Sequence, residues 1–164
     1  MMKAALRIAA ITLIFDQISK WVLLYVVDLR NIGLVEVTSF FNLRSVWNPG
    51  VSFGWLAANN EFSRYALIGF ALLIVAILLI MLFRTRTWLL AVAIGLVIGG
   101  AIGNVVDRLF YGAVYDFLDF HALGYHFYTF NFADSAISVG VVLLIFDSLF
   151  VPEAPPPKKA TQKT

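Results

Sequence analysis

The chain has 164 residues, of which 61% are hydrophobic and only 13% are charged. Soluble domains carry roughly 25% charged residues, so this composition indicates an integral membrane protein, and the length suits a single domain. The net charge of +2, without a basic run, excludes nucleic acid as an expected partner. Cysteine is absent and two histidines alone would leave zinc incompletely held, so we expect no disulfide framework, no catalytic metal and no cofactor.

Four apolar stretches are long enough to cross a bilayer, which takes about 20 residues. In chain order they cover 4–27, 65–83, 88–107 and 133–151. The third stretch repeats Gly95, Gly99 and Gly103 at four-residue spacing, which predicts a strip of small residues for close helix packing. Basic residues lie near both termini and at Arg84 and Arg86, so the positive-inside rule predicts cytoplasmic termini.

The two segments left on the outer side have the features of short strands. Residues 42–48 alternate in strand fashion and are followed by the turn-forming pair Pro49 and Gly50. Residues 114–120 have an extended pattern, and Gly124 can turn the chain back. We therefore predict an all-α membrane protein with four transmembrane helices and a small β-rich extracytoplasmic cap. Its single domain covers 1–151, with outer segments 28–64 and 108–132, and residues 152–164 form a flexible cytoplasmic tail.

Two carboxylates near the predicted outer boundary are candidates for chemistry. Asp116 lies between the third and fourth spans, and Asp134 begins the fourth, so this topology can bring them together. Adjacent carboxylates cannot both ionise easily, and one of them keeps a proton. Such a pair can hydrolyse an amide: the charged member takes a proton from water, while the protonated member polarises the carbonyl and later protonates the leaving nitrogen.

Simpler interpretations exist for these polar residues. Asp134 could cap the fourth helix, although Asn131 is available for the same task, and Asp116 could be a solvated loop carboxylate. Asp16 and Lys20 are four residues apart with the acid first, which favours a structural ion pair within the membrane.

The end of the third span holds a further polar cluster. Arg108, directly after Asp107, could be a cation at a helix C-terminus, and its four-residue spacing from Asn104 puts both on one helix face. Asp147, near the other end of the fourth span, is assigned no chemistry.

Five polar clusters occur in a fixed order along the four spans. They are D-Q-I-S-K from residue 16, N-P-G-V-S-F-G from 48, G-N-V-V-D-R from 103, V-Y-D-F from 114 and F-N-F-A-D-S from 130. In this order and spacing they resemble the bacterial lipoprotein signal peptidase family, signal peptidase II, over most of the chain. The family's second motif commonly has a small apolar residue where Ser52 stands here.

The resemblance implies an intramembrane aspartyl endopeptidase of the bacterial inner membrane, with its active site near the outer face. It implies that signal peptides are removed from prolipoproteins by cleavage just before a diacylglyceryl-modified cysteine. The modified prolipoprotein and membrane lipids are then the partners, and the chain is expected to be a monomer. The implied catalytic pair is Asp116 and Asp134, and the implied supporting positions are Asn48, Asn104, Arg108 and Asn131. We add Gly50 to the supporting positions and expect Asp16, Lys20 and Asp107 to be structural polar residues.

Two other functions are compatible with parts of the sequence. The intramembrane residues Asp16, Lys20 and Asp134 would suit a small proton-coupled transporter. The two halves show no convincing repeat, however, and the acids cluster at one surface instead of lining a path. A non-catalytic assembly factor, with the glycine strip packed on a partner, is the third possibility.

Overall fold

The computed structural model describes residues 1–50, 61–85, 87–123 and 125–150. Within these ranges four helices are long and apolar enough to cross a membrane, as the sequence predicts. They are α1 (Met2–Trp21, continued by a π-helical turn, Val22–Val26), α3 (Glu61–Arg84), α4 (Trp88–Tyr111) and α5 (Phe132–Phe150). The tail at 152–164, together with Ser52, Arg86 and Gly124, lies outside the described residues.

Helix α4 is the centre of the bundle and packs against α1, α3 and α5. Its glycines make these contacts close. A Cβ atom on Gly99 would lie 2.5 Å from the backbone oxygen of Ala9 in α1, and one on Gly100 would lie 2.5 Å from that of Ala133 in α5. The predicted glycine strip is therefore a packing surface, because any larger side chain would push the helices apart.

A four-stranded antiparallel sheet forms the cap, with the strand order β1-β2-β3-β4. The predicted strands at 42–48 and 114–120 are present, whereas β1 was not predicted. A short helix, α2, precedes the sheet. The cap elements are α2 (Leu29–Ile32), β1 (Leu34–Thr38), β2 (Phe41–Asn48), β3 (Val114–Ala122) and β4 (Tyr125–His126).

Two predicted helix ends are wrong by about one turn. Helix α4 continues past Asp107 to Tyr111, and α3 begins at Glu61, not at residue 65. The chain leaves α4 at Gly112, whose φ of 79° suits the left-handed conformation and whose amide donates to the Arg108 oxygen. Polar residues such as Arg108 end a hydropathy stretch without ending the helix, so helical residues fall within both predicted outer segments.

Aromatic and aliphatic side chains join the cap to the helices. The buried side chains of Leu24, Leu29, Tyr115 and Phe117 form one cluster, against which Phe132 at the start of α5 packs. Since Tyr115 and Phe117 flank Asp116 on β3, this cluster fixes the strand that carries Asp116 against the ends of the helices that meet the cap.

Candidate active site

Asp116 is buried at the junction between the cap and the bundle, with 1% of its surface exposed. It lies on β3 opposite Val46 of β2. Asn48 donates from Nδ2 to Asp116 Oδ2 at 3.0 Å, and Asn131 donates from Nδ2 to Asp116 Oδ1 at 2.6 Å. Asp116 is therefore not a solvated loop carboxylate, because each of its oxygens accepts an amide hydrogen bond within the protein.

Asp134 lies in the first turn of α5 and is half-buried. Its Oδ1 accepts from Asn104 Nδ2 at 2.8 Å, and its Oδ2 accepts from the Asn131 backbone amide at 3.3 Å. Asn131 Oδ1 in turn accepts from the Asp134 amide at 2.9 Å. The two residues form a reciprocal capping box, in which Asn131 is the N-cap and Asp134 is the third helical residue. Capping therefore uses one oxygen of Asp134 and leaves the other facing Asn104.

Asn131 links the two aspartates directly. It is fully buried, and its side chain contacts Asp116 and Asn104 while its backbone amide contacts Asp134. The structure thus joins Asp116, Asp134, Asn104 and Asn131 in one hydrogen-bonded network, as the topology led us to expect.

Gly50 orients the amide of Asn48. Its backbone N–H donates to Asn48 Oδ1 at 3.0 Å, so that the Asn48 Nδ2 faces Asp116. Gly50 has a φ of 114°, which L-residues with a side chain rarely adopt, and a Cβ atom there would overlap the side chain of Leu67.

The environment of Asp116 changes its acidity. Burial raises its pKa to about 6, because a buried carboxylate loses hydration of its charge, and the nearby charge of Asp134 acts in the same direction. The hydrogen bonds from Asn48 and Asn131 oppose that rise. A carboxyl group with this pKa is suited to exchange protons near neutral pH.

Arg108 lies beside this network without pairing with either aspartate. Its Nη1 donates to the Asn104 backbone oxygen, one turn earlier on α4, at 3.3 Å. Among the described residues it forms no ion pair, and its buried Nε has no hydrogen-bond partner. The structure therefore places Arg108 next to Asn104 and leaves part of its guanidinium free.

The predicted ion pair between Asp16 and Lys20 is present and has a third member. Lys20 Nζ lies 2.7 Å from Asp16 Oδ2 and 2.8 Å from Asp107 Oδ2, and all three side chains are buried. Gln17, to which the sequence assigned no role, donates to Asp16 Oδ2 at 3.1 Å and to Asp107 Oδ1 at 3.0 Å. Its position within the D-Q-I-S-K cluster was the available signal.

This second network holds the backbone next to both aspartates of the first. Asp16 Oδ1 accepts from the Ala133 amide at 2.9 Å, one residue before Asp134. Asp107 Oδ2 accepts from the Tyr115 amide at 3.1 Å, one residue before Asp116. The structural polar residues predicted from the sequence are thus connected to the candidate site through the main chain.

Two grooves reach residues of the network around Asp116 and Asp134. A cleft of about 390 Å³ in the cap, which we call the cap cleft, is lined by residues that include Asp116, Asn48, Arg44, His126 and Tyr128. A second groove of about 230 Å³ lies among α3, α4 and α5, and we call it the bundle groove. Its lining is apolar except at Asn104 and Arg108. No group of three potential ligands that could hold a metal ion occurs among the described residues.

Four membrane-crossing helices and two linked carboxylates define a multi-pass membrane protein equipped for general acid–base chemistry. The family model described as "Signal peptidase (SPase) II" matches residues 8–150, and the chain belongs to this family.

Relatives and solved structures agree with this assignment. A lipoprotein signal peptidase of Rhodopseudomonas palustris (strain TIE-1) is 46% identical over 145 residues, covering 86% of this chain and 88% of the relative. One from Rhizorhabdus wittichii is 47% identical over 147 residues, covering 89% and 86%. A bacterial membrane enzyme whose structure was determined by the in meso method at 1.9 Å resolution is 30% identical, with a TM-score of 0.79, covering 92% and 96%.

Proposed function

We propose that the chain is an aspartyl endopeptidase that removes signal peptides from prolipoproteins, with Asp116 and Asp134 as its catalytic pair. Membership of the signal peptidase II family supports the reaction. The observation that carries the residue assignment is the position of Asn131, which contacts the side chains of both aspartates.

The pair supplies a base and an acid for hydrolysis of one peptide bond. The ionised carboxylate removes a proton from water, and the water oxygen attacks the scissile carbonyl carbon. The protonated carboxyl donates its proton to the carbonyl oxygen, giving a tetrahedral diol. As the diol collapses, the carbon–nitrogen bond breaks, the leaving nitrogen receives a proton and a new carboxyl group remains on the signal peptide.

The raised pKa of Asp116 suits the acid role in this scheme. Burial disfavours the ionised form of Asp116, so this carboxyl group is the member of the pair better able to retain a proton. Asp134, half-buried and nearer the bundle groove, then acts as the base that receives the proton from water.

The two grooves fit the two parts of a lipid-modified precursor. The bundle groove would receive the apolar signal peptide and the diacylglyceryl group of the cysteine that follows it, and Asn104 and Arg108 would meet the polar atoms near the cleavage point. The cap cleft would receive the polar chain that follows. Cleavage before a diacylglyceryl-modified cysteine is in keeping with this division, since the lipid is then held on the membrane side of Asp116 and Asp134.

The proposed setting is the bacterial inner membrane, with both termini cytoplasmic and the site near the outer face. The basic residues around the termini and at Arg84 support this orientation. The chain is proposed to act as a monomeric domain over 1–151, with 152–164 as a cytoplasmic tail.

Nothing in the comparisons supports a proton-coupled transporter, and in the structure Asp16 and Lys20 form an ion pair with each other.

The test is cleavage of a diacylglyceryl-modified prolipoprotein by the purified protein in detergent, followed by gel shift. Wild type should cleave, whereas Asp116→Asn and Asp134→Asn should each lose at least about 100-fold in rate, since acid–base groups contribute factors of about 100 to 10,000. Asp147→Asn, which changes an aspartate at the other end of α5, is the matched control and should keep its activity. A folded Asp116→Asn or Asp134→Asn variant that cleaves normally would overturn the assignment.

A further inference from the structure

We propose that the cap cleft contains a subsite for an acidic side chain of the substrate, formed by Arg44 and His126. It would recognise the residue that directly follows the modified cysteine. This inference rests on the proposed function, which it extends from the reaction to a preference among substrates. Its physical basis is a cation without a carboxylate partner in the described part of the chain, together with an anchored imidazole, on the wall of a cleft that is also lined by Asp116.

Arg44 supplies the charge. It lies on β2, two residues before Val46, which pairs with Asp116 across the sheet. Its side chain is exposed, lines the cap cleft and has no carboxylate partner among the described residues. A guanidinium presents several donors in a planar fork that matches a carboxylate, so a substrate Asp or Glu is the side chain it suits best.

His126 supplies a second, directed contact. Its Nδ1 lies 3.0 Å from both oxygens of Asp119, which is fully buried, and its ring packs on that of His121 with centroids 5.0 Å apart. The ring is thereby fixed, and Nε2 is the nitrogen left for a ligand in the cleft. As an imidazolium it donates from Nδ1 to Asp119 and from Nε2 to a substrate carboxylate.

The position of the subsite determines which part of the substrate it meets. Asp116 and Asn48 line the cap cleft, whereas the bundle groove approaches the same network from the apolar side through Asn104. The chain beyond the cleaved bond therefore runs outward into the cleft. In the proposed scheme Asp134 is the ionised member of the pair and repels a nearby anion, so the acidic side chain must lie toward Arg44 and His126.

The experiment compares three diacylglyceryl-modified prolipoprotein reporters that carry Asp, Ser or Lys directly after the modified cysteine. For wild type, kcat/KM should be about fivefold higher for the Asp reporter than for the Lys reporter. Such a ratio corresponds to a single partly exposed ion pair, worth at most about 1 kcal/mol. Equal values for the three reporters would overturn the proposal.

Variants assign the preference to the cleft. Arg44→Glu should invert the Asp-to-Lys ratio, and His126→Gln should reduce it by about half. Arg30→Glu, a charge reversal at an exposed arginine of α2 that does not line the cleft, should leave the ratio as in wild type. An unchanged ratio in Arg44→Glu, or an equal change in Arg30→Glu, would contradict a local subsite.

A binding measurement separates this inference from the proposed function. The dissociation constants of the three reporters for Asp134→Asn, which keeps the cap cleft intact, should rank Asp, Ser, Lys from tightest to weakest. If wild type cleaves no reporter but this ranking holds, the proposed function fails and the subsite stands. If wild type cleaves all reporters and the ranking is absent, the reaction stands and the subsite fails.

Discussion

At the scale of single residues, the surroundings of Asp116 have two opposing effects on the ionisation of its carboxyl group. Its carboxyl group is buried where ionisation is unfavourable, yet its oxygens face amides that stabilise the ionised form. The balance leaves its pKa at about 6, above the usual value for aspartate. The folded protein therefore binds this proton more tightly than the unfolded chain does, and stability must depend on pH.

We predict that Asp116→Asn gains stability relative to wild type as the pH rises. The stabilisation that wild type draws from the proton is fully present below about pH 4, the unfolded pKa, and is lost as pH rises through about 6. The shift corresponds to about 2 to 3 kcal/mol, and an amide does not titrate. The difference in Tm between variant and wild type, measured in detergent, should be more positive at pH 8 than at pH 4.5. A difference that stays constant with pH would contradict the assigned pKa.

At the scale of elements, the contact between α4 and α5 sets where Asp134 lies. Gly100 faces the backbone oxygen of Ala133, and Gly103 faces the Asp16 side chain that holds the Ala133 amide. Because Gly100 and Gly103 have no side chains, the start of α5 can pack directly against α4. The position of α5 against α4 therefore determines where Asp134 lies in the site.

We predict that Gly100→Ala lowers both activity and stability, because the added Cβ atom would lie 2.5 Å from the Ala133 oxygen and displace α5. Overpacking of this kind costs about 1 to 3 kcal/mol. Gly69→Ala is the matched control, since α3 leaves open space at that position, and alanine should there be neutral or stabilising. The measurements are Tm and reporter cleavage for both variants. Equal behaviour of the two would show that close packing at Gly100 does not matter.

At the scale of the whole molecule, a few buried charges connect every part of the site's framework. Asp16 and Lys20 belong to α1 and Asp107 to α4, and through Ala133 and Tyr115 they reach α5 and β3. Two carboxylates share one ammonium group, so the removal of that group leaves uncompensated buried charge.

We predict that Lys20→Met destabilises the protein by about 3 to 5 kcal/mol, the cost of breaking a buried ion pair. Lys3→Met, an exposed lysine on the same helix, should change stability little. Thermal unfolding in detergent provides the comparison, and Lys20→Met combined with Asp107→Asn should recover part of the loss. Equal Tm values for the two single variants would refute a structural role for Lys20.

The sequence was sufficient for those features that depend on composition and order. Hydropathy located four spans, and the position of Asp116 between two of them implied that it could meet Asp134. The ends of α3 and α4 were misplaced, because Arg64 and Arg108 interrupt hydropathy but not helical hydrogen bonding. Strand β1 was missed, since only the pairing of Leu34–Thr38 with β2 makes that short segment a strand.

The finer features of the site depend on tertiary contacts that spacing cannot express. Gln17 is one polar residue among several in its cluster, and its bonds to Asp107 span 90 positions of the chain. Asp119 ends the polar cluster at 114–119 and His126 is one of the two histidines, but only the closure of β3 onto β4 brings them together. Asp147, assigned no chemistry, accepts from Thr87, whose hydroxyl also caps α4, and so its role is structural.

The shared use of Asn131 has a consequence for inhibition. The side-chain amide of Asn131 donates a hydrogen bond to Asp116 on the sheet, and Asn131 is also the N-cap of the helix that carries Asp134. A small molecule could inhibit such an enzyme without resembling the substrate and without contacting either aspartate. A compound that wedges between β3 and α5 by the width of one atom would break the Asn131 contact, and resistance would require remaking a bond that both aspartates depend on.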